Sequence, residues 1–289
     1  MESQENQYRW PKAEAVYPDR PGRSYALKRL RYRLRAFSHR GLIAQFEQFI
    51  NQHPFLVKLL NEHADYSYPL VYRFLDKRFN RKQRFQAICD NLRFLPEKLT
   101  ALSTPIYKTP LSFGVVIPDF EMTLSMTTHQ PMEGYWVLEL WHKPRNELVY
   151  LPTFAKLGES LLISVVQGPN FEGSKEMVKQ LTKTCYGLRP AYLMVETMKA
   201  LTKVLGFNQL LGIPQKYQNK SRFIQSSHYV VDYDAIFAES GGQLKDYWEL
   251  PLEIDRNLDD VPSKKRSMYR KRYAMLDDLA KVIEEKLEL

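Results

Sequence analysis

Between residues 111 and 167 the chain carries five short runs that constrain the fold more than anything else in it: LSFGVVIP, EMTLSMTT, GYWVLELWH, ELVYLPTFA and SLLISVVQ. Each is rich in β-branched and aromatic residues, which suit a pleated, half-buried surface. Between them lie turn formers: Pro118-Asp119, the stretch from Pro131 to Gly134, that from Lys143 to Asn146, and Gly158 to Ser160. Connections this short cannot reach a parallel neighbour, so the runs pair antiparallel. A meander of four or five strands is predicted. In GYWVLELWH, alternation puts Tyr135, Val137, Glu139 and Trp141 on one face and Trp136, Leu138, Leu140 and His142 on the other. Apolar residues on both faces fit a strand packed on both sides. His142 reads either as a catalytic base or as a turn residue.

Helical periodicity flanks the meander. Residues 1–24 hold Pro11, Pro18 and Pro21 and read as irregular. SYALKRLRYRLRAF then places Leu27, Leu30, Leu34 and Phe37 at helical spacing, with Lys28, Arg29, Arg31, Arg33 and Arg35 on the other faces. GLIAQFEQFI continues the pattern, and Pro54 opens FLVKLLNEH. NRKQRFQAICDNLRFL aligns Phe85, Ile88, Leu92 and Leu95, so residues 25–105 form a basic helical region. After the meander, SKEMVKQLTKTC predicts one helix. Pro190 starts a second, with Met194, Met198, Leu201 and Leu205 on one face and Gly206 at its end. QLLGIP follows at once, the pattern of a crossover joining a sheet. HYVVDYD and YWELPLEI predict a further strand or two, and a last helix begins near Ser263. The fold class is α+β. A helical N-terminal region precedes a mainly antiparallel mixed sheet with a central helix over residues 106–260, and a C-terminal helix over 261–289 docks on it.

The net charge of +9 is unevenly spread. Residues 1–100 hold 19 Lys and Arg against 10 Asp and Glu, whereas the remainder holds 23 of each. From Arg20 to Phe46 there are eight cations and no acid. A basic amphipathic helix of this kind lies on an anionic membrane surface or on nucleic acid, or presents a solvated face paired with acids elsewhere. Residues 28–40 are the membrane candidate; no nucleic-acid recognition motif accompanies them, which ranks that partner last. Cys89 and Cys185 stand far apart, with no CxxC or Cys/His cluster, so reduced thiols and no metal site are expected. No run approaches the ~18 apolar residues of a membrane span. MESQENQYRW lacks both the basic start and the apolar run of a signal peptide, so a cytoplasmic protein is expected.

Several stretches invite chemistry. GPNFEGSK, residues 168–175, has the look of a phosphate loop, but Ser174 precedes Lys175 and Pro169 removes a backbone donor, which leaves a strand-to-helix turn. In YGLRPAYL, Gly187 sits just before a helix that Pro190 starts. Free amides there suit an anion, and Arg189 adds charge. With the element order, this resembles the acetyltransferase-like (GNAT) fold. There an antiparallel meander leads to a glycine-containing loop that caps a central helix and holds an acyl-CoA pyrophosphate, and a further strand follows. The resemblance implies acyl-CoA as cofactor, held by Gly187, Leu188, Arg189 and Ala191. Of the Q/R-x-x-G-x-G/A loop only Gly187 is present; Arg189 and Pro190 stand where small residues belong, and an extra helix separates strand from loop. Glu196, inside the central helix, is a candidate base or an ion partner for a nearby cation. His228, Asp232 and Asp234 share one face of an extended HYVVDYD, either as a His–Asp general base or as a polar strand edge.

PSKKRSMYRKRYAML carries six cations and no acid. Wound as a helix at ~100° per residue, it places Met268, Met275, Leu276, Leu279, Val282, Ile283 and Leu287 on one apolar arc. Lys265 and Arg272 fall inside that arc. Cations facing a core need an anion, either Asp232 or Asp234 or the phosphate or carboxylate of a ligand.

LLISVVQGPN, LTKTCYGLRPAYLM, LGFNQLLGIPQ, YDAIFAESGG and DDVPSKKRSMYRKRYAMLDDL together resemble the VirK/YbjX family of Gram-negative bacteria. The resemblance runs from residue 30 to residue 285 and is most specific in the PSKKRSMYRKRY block. It implies links to virulence, envelope properties and tolerance of antimicrobial peptides, and supplies no catalytic residues. Joined to the GNAT-like element order, which is what suggests a transferase, the expected function is a cytoplasmic acyl- or aminoacyl-transferase-like protein acting on an envelope component or a protein. The alternative is a non-enzymatic binding or adaptor protein at the inner membrane face, supporting envelope integrity or surface-protein localisation.

Overall fold

Proline and capping residues divide the N-terminal third into short helices in the computed structural model, which describes residues 7–127, 130–219 and 231–287. These are α1 (Ala13–Val16), α2 (Ala26–Ser38), α3 (Arg40–Asn51), α4 (Pro54–Glu62), a 3-10 segment (Ala64–Val71) and α5 (Arg81–Lys98). Pro54 occupies the first turn of α4, where its missing donor costs nothing. α5 opens with a capping box: Asn80 and Gln83 exchange side-chain and backbone hydrogen bonds, each at 3.0 Å. The segment read as irregular holds α1 and is anchored. Tyr8 is buried, its hydroxyl bonds Ser67 Oγ at 2.7 Å, and its amide donates to Asn51 at 2.8 Å.

α2 forms where its pattern predicts but docks by a different face. The regular stripe points to solvent, with Leu27, Leu30, Leu34 and Phe37 exposed by 70, 51, 62 and 70%. The helix is held instead through Tyr32, which is 2% exposed. Tyr32 stacks on Trp10 at 6.0 Å between centroids and donates to the Pro11 carbonyl at 2.8 Å. Arg29 pairs with Asp19 at 3.0 Å, and Arg33 pairs with Glu14. The aromatic face wins because the preceding strap supplies planar partners and a carbonyl; the leucines find no surface to meet.

The five predicted strands form as β1 (Leu111–Ile117), β2 (Phe120–Met126), β3 (Trp136–His142), β4 (Glu147–Leu157) and β5 (Ser160–Gln167). They pair antiparallel in chain order, Leu124 opposite Leu138 and Trp136 opposite Phe154. α6 (Ser174–Thr184) and α7 (Pro190–Val204) then cross over to β6 (Leu210–Gly212), which lies parallel to β5 with Leu162 opposite Leu211. A parallel neighbour requires such a crossover. A further helix, α8 (Tyr233–Glu239), leads to β7 (Gln243–Leu244) and β8 (Trp248–Leu250), giving the order β1-β2-β3-β4-β5-β6-β8-β7. Gly212 is required in β6, because a Cβ there would meet the Phe237 ring at 2.7 Å.

The strand expected over residues 228–234 is corrected where the structure describes it. His228 lies outside the described residues, and from Asp232 the chain turns into α8. The Asp232 carboxylate caps that helix by accepting from the Ala235 amide at 2.9 Å, and this local cap overrides the β-rich composition. The last helix, α9 (Ser263–Leu287), packs on α7 and buries Leu276, Leu279, Ile283 and Leu287. One apolar cluster runs through all layers. Asn91 of α5 clamps the sheet by exchanging bonds of 2.8 and 2.7 Å with the Lys156 backbone, and its carbonyl accepts from Trp136 Nε1 at 2.9 Å. Among the described residues, no helix is long and apolar enough to cross a membrane.

Candidate functional site

Beside the outward leucines of α2 lies a cavity of about 580 Å³, within the size range of small-ligand sites. Arg20, Lys28, Arg31 and Arg35 line it, and Tyr17, Tyr25, Tyr68 and Tyr72 supply an aromatic wall. The three helical cations are spaced i, i+3 and i+7. At ~100° per residue they occupy the arc between the exposed leucine stripe and the buried Tyr32.

Among the described residues, no carboxylate pairs with the cations of this cavity. Arg35 lies over the Tyr72 ring at 4.0 Å and donates to the Tyr68 hydroxyl at 3.4 Å. Lys28 sits over the Tyr25 ring at 4.5 Å. Arg20 and Arg31 are exposed and have no carboxylate partner among the described residues. The nearby acids Glu14 and Asp19 are spent on Arg33 and Arg29, outside the cavity. The carboxylate among the lining residues is Asp65, which burial holds above the usual carboxylate range. The arrangement is a cationic, aromatic recess built for an anion.

The loop at residues 186–191 is organised differently. Gly187 adopts φ +78°, and its amide donates to the Thr182 carbonyl at 2.8 Å. The Tyr186 amide bonds Lys183 at 3.1 Å and the Leu188 amide bonds Cys185 at 3.0 Å. These bonds terminate α6 as a left-handed cap, so the Tyr186, Gly187 and Leu188 amides are already used. Arg272 closes the remaining side: its guanidinium donates twice to the Tyr186 carbonyl, at 2.8 and 3.2 Å. A Cβ on Gly187 would stand 3.3 Å from Arg272 Nη2 and 3.5 Å from Met268 Cε. Arg189 and Pro190 begin α7, Arg189 stacking on Tyr192 at 5.4 Å. As folded, Gly187 and Leu188 offer no free amide to a pyrophosphate, while Arg189 and Ala191 open α7.

The other candidate residues are dispersed. Glu196 pairs with Lys199 at 2.8 Å, and Lys199 also reaches the Ser240 carbonyl at 3.0 Å. Glu196 Oε2 has no partner among the described residues and borders a second cavity of about 390 Å³ between α7 and α9. The two expected inward cations of α9 behave differently. Arg272 is half-buried on a backbone carbonyl, and Lys265 is exposed on the first turn, with no core to face. Neither meets Asp232 or Asp234. Asp234 instead accepts from the Gln215 amide at 3.0 Å and from Trp248 Nε1 at 2.7 Å. Burial pushes the Cys185 thiol up to about 12, which removes it as a nucleophile. Among the described residues no three His, Cys, Asp or Glu side chains group as metal ligands. The tyrosine wall was missed from sequence; the i, i+3, i+7 spacing of Lys28, Arg31 and Arg35 beside the leucine stripe was the signal available.

Fold and site together define a mixed α+β protein, mainly antiparallel in its sheet, with a basic recess beside an outward amphipathic helix. The chain belongs to the VirK/YbjX family: residues 21–285 match the family described as "Protein of unknown function (DUF535)". It is similar to an "Uncharacterized protein" of Haemophilus influenzae, 80% identical over 282 residues covering 98% of this chain and 97% of the relative. It is also similar to "Membrane protein LapB" of Mannheimia haemolytica, 63% identical over 75% of this chain and 96% of the relative. The "Uncharacterized protein YbjX" of Escherichia coli is 24% identical over 89% of this chain and 83% of the relative. No solved structure matches the chain.

Proposed function

We propose that the protein is a peripheral binder of anionic membrane surfaces that docks through α2. The observation that carries this reading is the outward stripe of Leu27, Leu30, Leu34 and Phe37 flanked by cations without acidic partners. An amphipathic helix seated this way sinks its apolar face ~5–10 Å into the headgroup boundary. Four apolar side chains at about 1.5 kcal/mol each, with four cations at about 1 kcal/mol each, contribute roughly 10 kcal/mol. After an association cost of about 4 kcal/mol or more, attachment is weak and reversible, which suits a surface binder. The name of the Mannheimia relative, a membrane protein, supports the same reading. Co-sedimentation with phosphatidylglycerol-containing vesicles tests it. Binding is expected at low salt and is lost in the Leu30→Ser/Leu34→Ser variant; equal sedimentation of that variant contradicts the reading.

An acyl- or aminoacyl-transferase activity rests on the element order alone: a meander, a glycine loop, a central helix and a following strand. In its cofactor loop the Gly187 and Leu188 amides are spent on ending α6, and Arg272 sits on the Tyr186 carbonyl beside them. The expected result of adding acyl-CoA is therefore no rise in melting temperature, and a rise abolished by Arg189→Ala would restore the transferase reading.

A further inference from the structure

Resting on the docking reading above, we infer that the recess lined by Arg20, Lys28, Arg31 and Arg35 is a headgroup site that takes the phosphate of an anionic lipid. α2 presents two adjacent arcs to one side of the molecule. The leucine arc meets acyl chains, and the neighbouring cationic arc then lies at the depth where lipid phosphates sit. The recess behind that arc is about 580 Å³, larger than a cation pair needs and large enough for a glycerophosphate group.

The arginine fork matches carboxylate as well as phosphate; what favours a glycerophosphate over a bare carboxylate is the size of the recess and the hydroxyls on its wall. Arginine forks match phosphate oxygens in two-bond geometry, and Arg31 and Arg20 have no carboxylate partner to be displaced from. Arg35 and Lys28 are held over tyrosine rings. A cation held on a ring keeps its charge and its free donors, so it is positioned without being neutralised. The wall adds hydroxyls from Tyr25 and Tyr72 that can donate to a phosphate or to the glycerol of a headgroup. A helix needed only for diffuse attraction to charge would work with its cations spread around the apolar face. Here Arg29 and Arg33 are tied to Asp19 and Glu14, and the α2 cations with no acidic partner among the described residues, Lys28, Arg31 and Arg35, converge on one concavity.

The test uses the full chain and two vesicle types matched in zeta potential. One carries phosphatidylglycerol in phosphatidylcholine, and the other carries oleate, whose charge is a carboxylate. The expected result is tighter binding to the phosphatidylglycerol vesicles, by about fivefold for each hydrogen bond the headgroup adds inside the recess. The preference disappears in Arg20→Gln/Arg31→Gln, two exposed side chains whose replacement leaves the melting temperature unchanged. Equal affinity for both vesicles, or a preference that survives the double variant, overturns the inference. Soluble glycerol phosphate is the second arm: weak competition with the vesicles is expected. Saturation by it with no preference between vesicles would make the ligand a free phosphate and overturn the lipid assignment. Failure of the docking reading itself is distinct, since then neither vesicle type binds.

Discussion

The Arg35 guanidinium lies 4.0 Å above the centroid of the Tyr72 ring, joining α2 to the end of the 3-10 segment without a carboxylate between them. The pair fixes one wall of the recess and keeps its charge unneutralised. A partly exposed cation–π contact contributes about 0.5–1 kcal/mol. Tyr72→Leu is therefore expected to lower stability in urea unfolding by that amount. Arg31→Gln, without such a partner, should stay within about 0.5 kcal/mol of the parent. A larger loss at Arg31 than at Tyr72 would contradict the assignment.

Arg272 and Lys265 separate by environment although the helical wheel puts them on the same arc. Arg272 makes two bonds to the Tyr186 carbonyl and lies 4.2 Å over the Tyr269 ring. Removing it leaves the Tyr186 carbonyl without its donor, so Arg272→Ala is expected to cost about 1–3 kcal/mol. Lys265→Ala should be silent within about 0.5 kcal/mol. Chemical denaturation of both variants checks the contrast, and the opposite order would refute it.

Elements with regular local signals were legible in the chain. The five meander strands formed within two residues of their predicted ends; α7 buried the whole stripe its period marked, and α5 and α9 most of theirs, with Phe85, Met268, Met275 and Val282 half-buried. Pro54, Pro190 and Gly206 punctuated the chain where expected. What could not be read depends on distant partners. Nothing within α2 says that Tyr32 outranks four apolar residues; that follows from Trp10 and Pro11, some twenty residues away. Tyr68 lies in a 3-10 segment with no useful period, and Tyr72 follows its last residue. Arg272 was visible as an inward cation, but its partner is a main-chain oxygen exposed by the positive φ of Tyr186, and composition carries no trace of that. Asp232 was read with the strand before it when it belongs, as a cap, to the helix after it.

His39 stands between α2 and α3, and stability at this junction is expected to depend on pH. Arg84 Nη2 approaches its Nε2 at 3.2 Å, and its Nδ1 lies 2.8 Å from the Arg35 carbonyl, so the ring is held neutral with its proton on Nδ1. Burial chiefly holds its pKa below the usual imidazole value; the Arg35 carbonyl opposes this, and the charges of Arg81, Arg84 and Arg35 add to it. The unfolded chain, with an imidazole pKa of about 6.5, then takes up the proton at higher pH than the fold. The contribution is full above about pH 6.5 and is lost as pH falls through that value toward the lower folded pKa. Melting temperatures from about pH 7.5 to about pH 5.5 should fall more steeply for the parent than for His39→Gln. Parallel slopes would show that the ring carries no such linkage.

Insertion of the leucine stripe can be read at one position. Cys89 and Cys185 are buried, and burial pushes both thiols up to about 12, so a cysteine placed at Leu34 is the one that reacts with a polarity-sensitive dye. Labelled Leu34→Cys is expected to shift to the blue on addition of phosphatidylglycerol-containing vesicles and to stay unchanged with phosphatidylcholine alone. A dye at Val115→Cys, equally exposed but on β1, should not shift with either. Binding without a shift at position 34, or with the same shift at position 115, would contradict docking through α2.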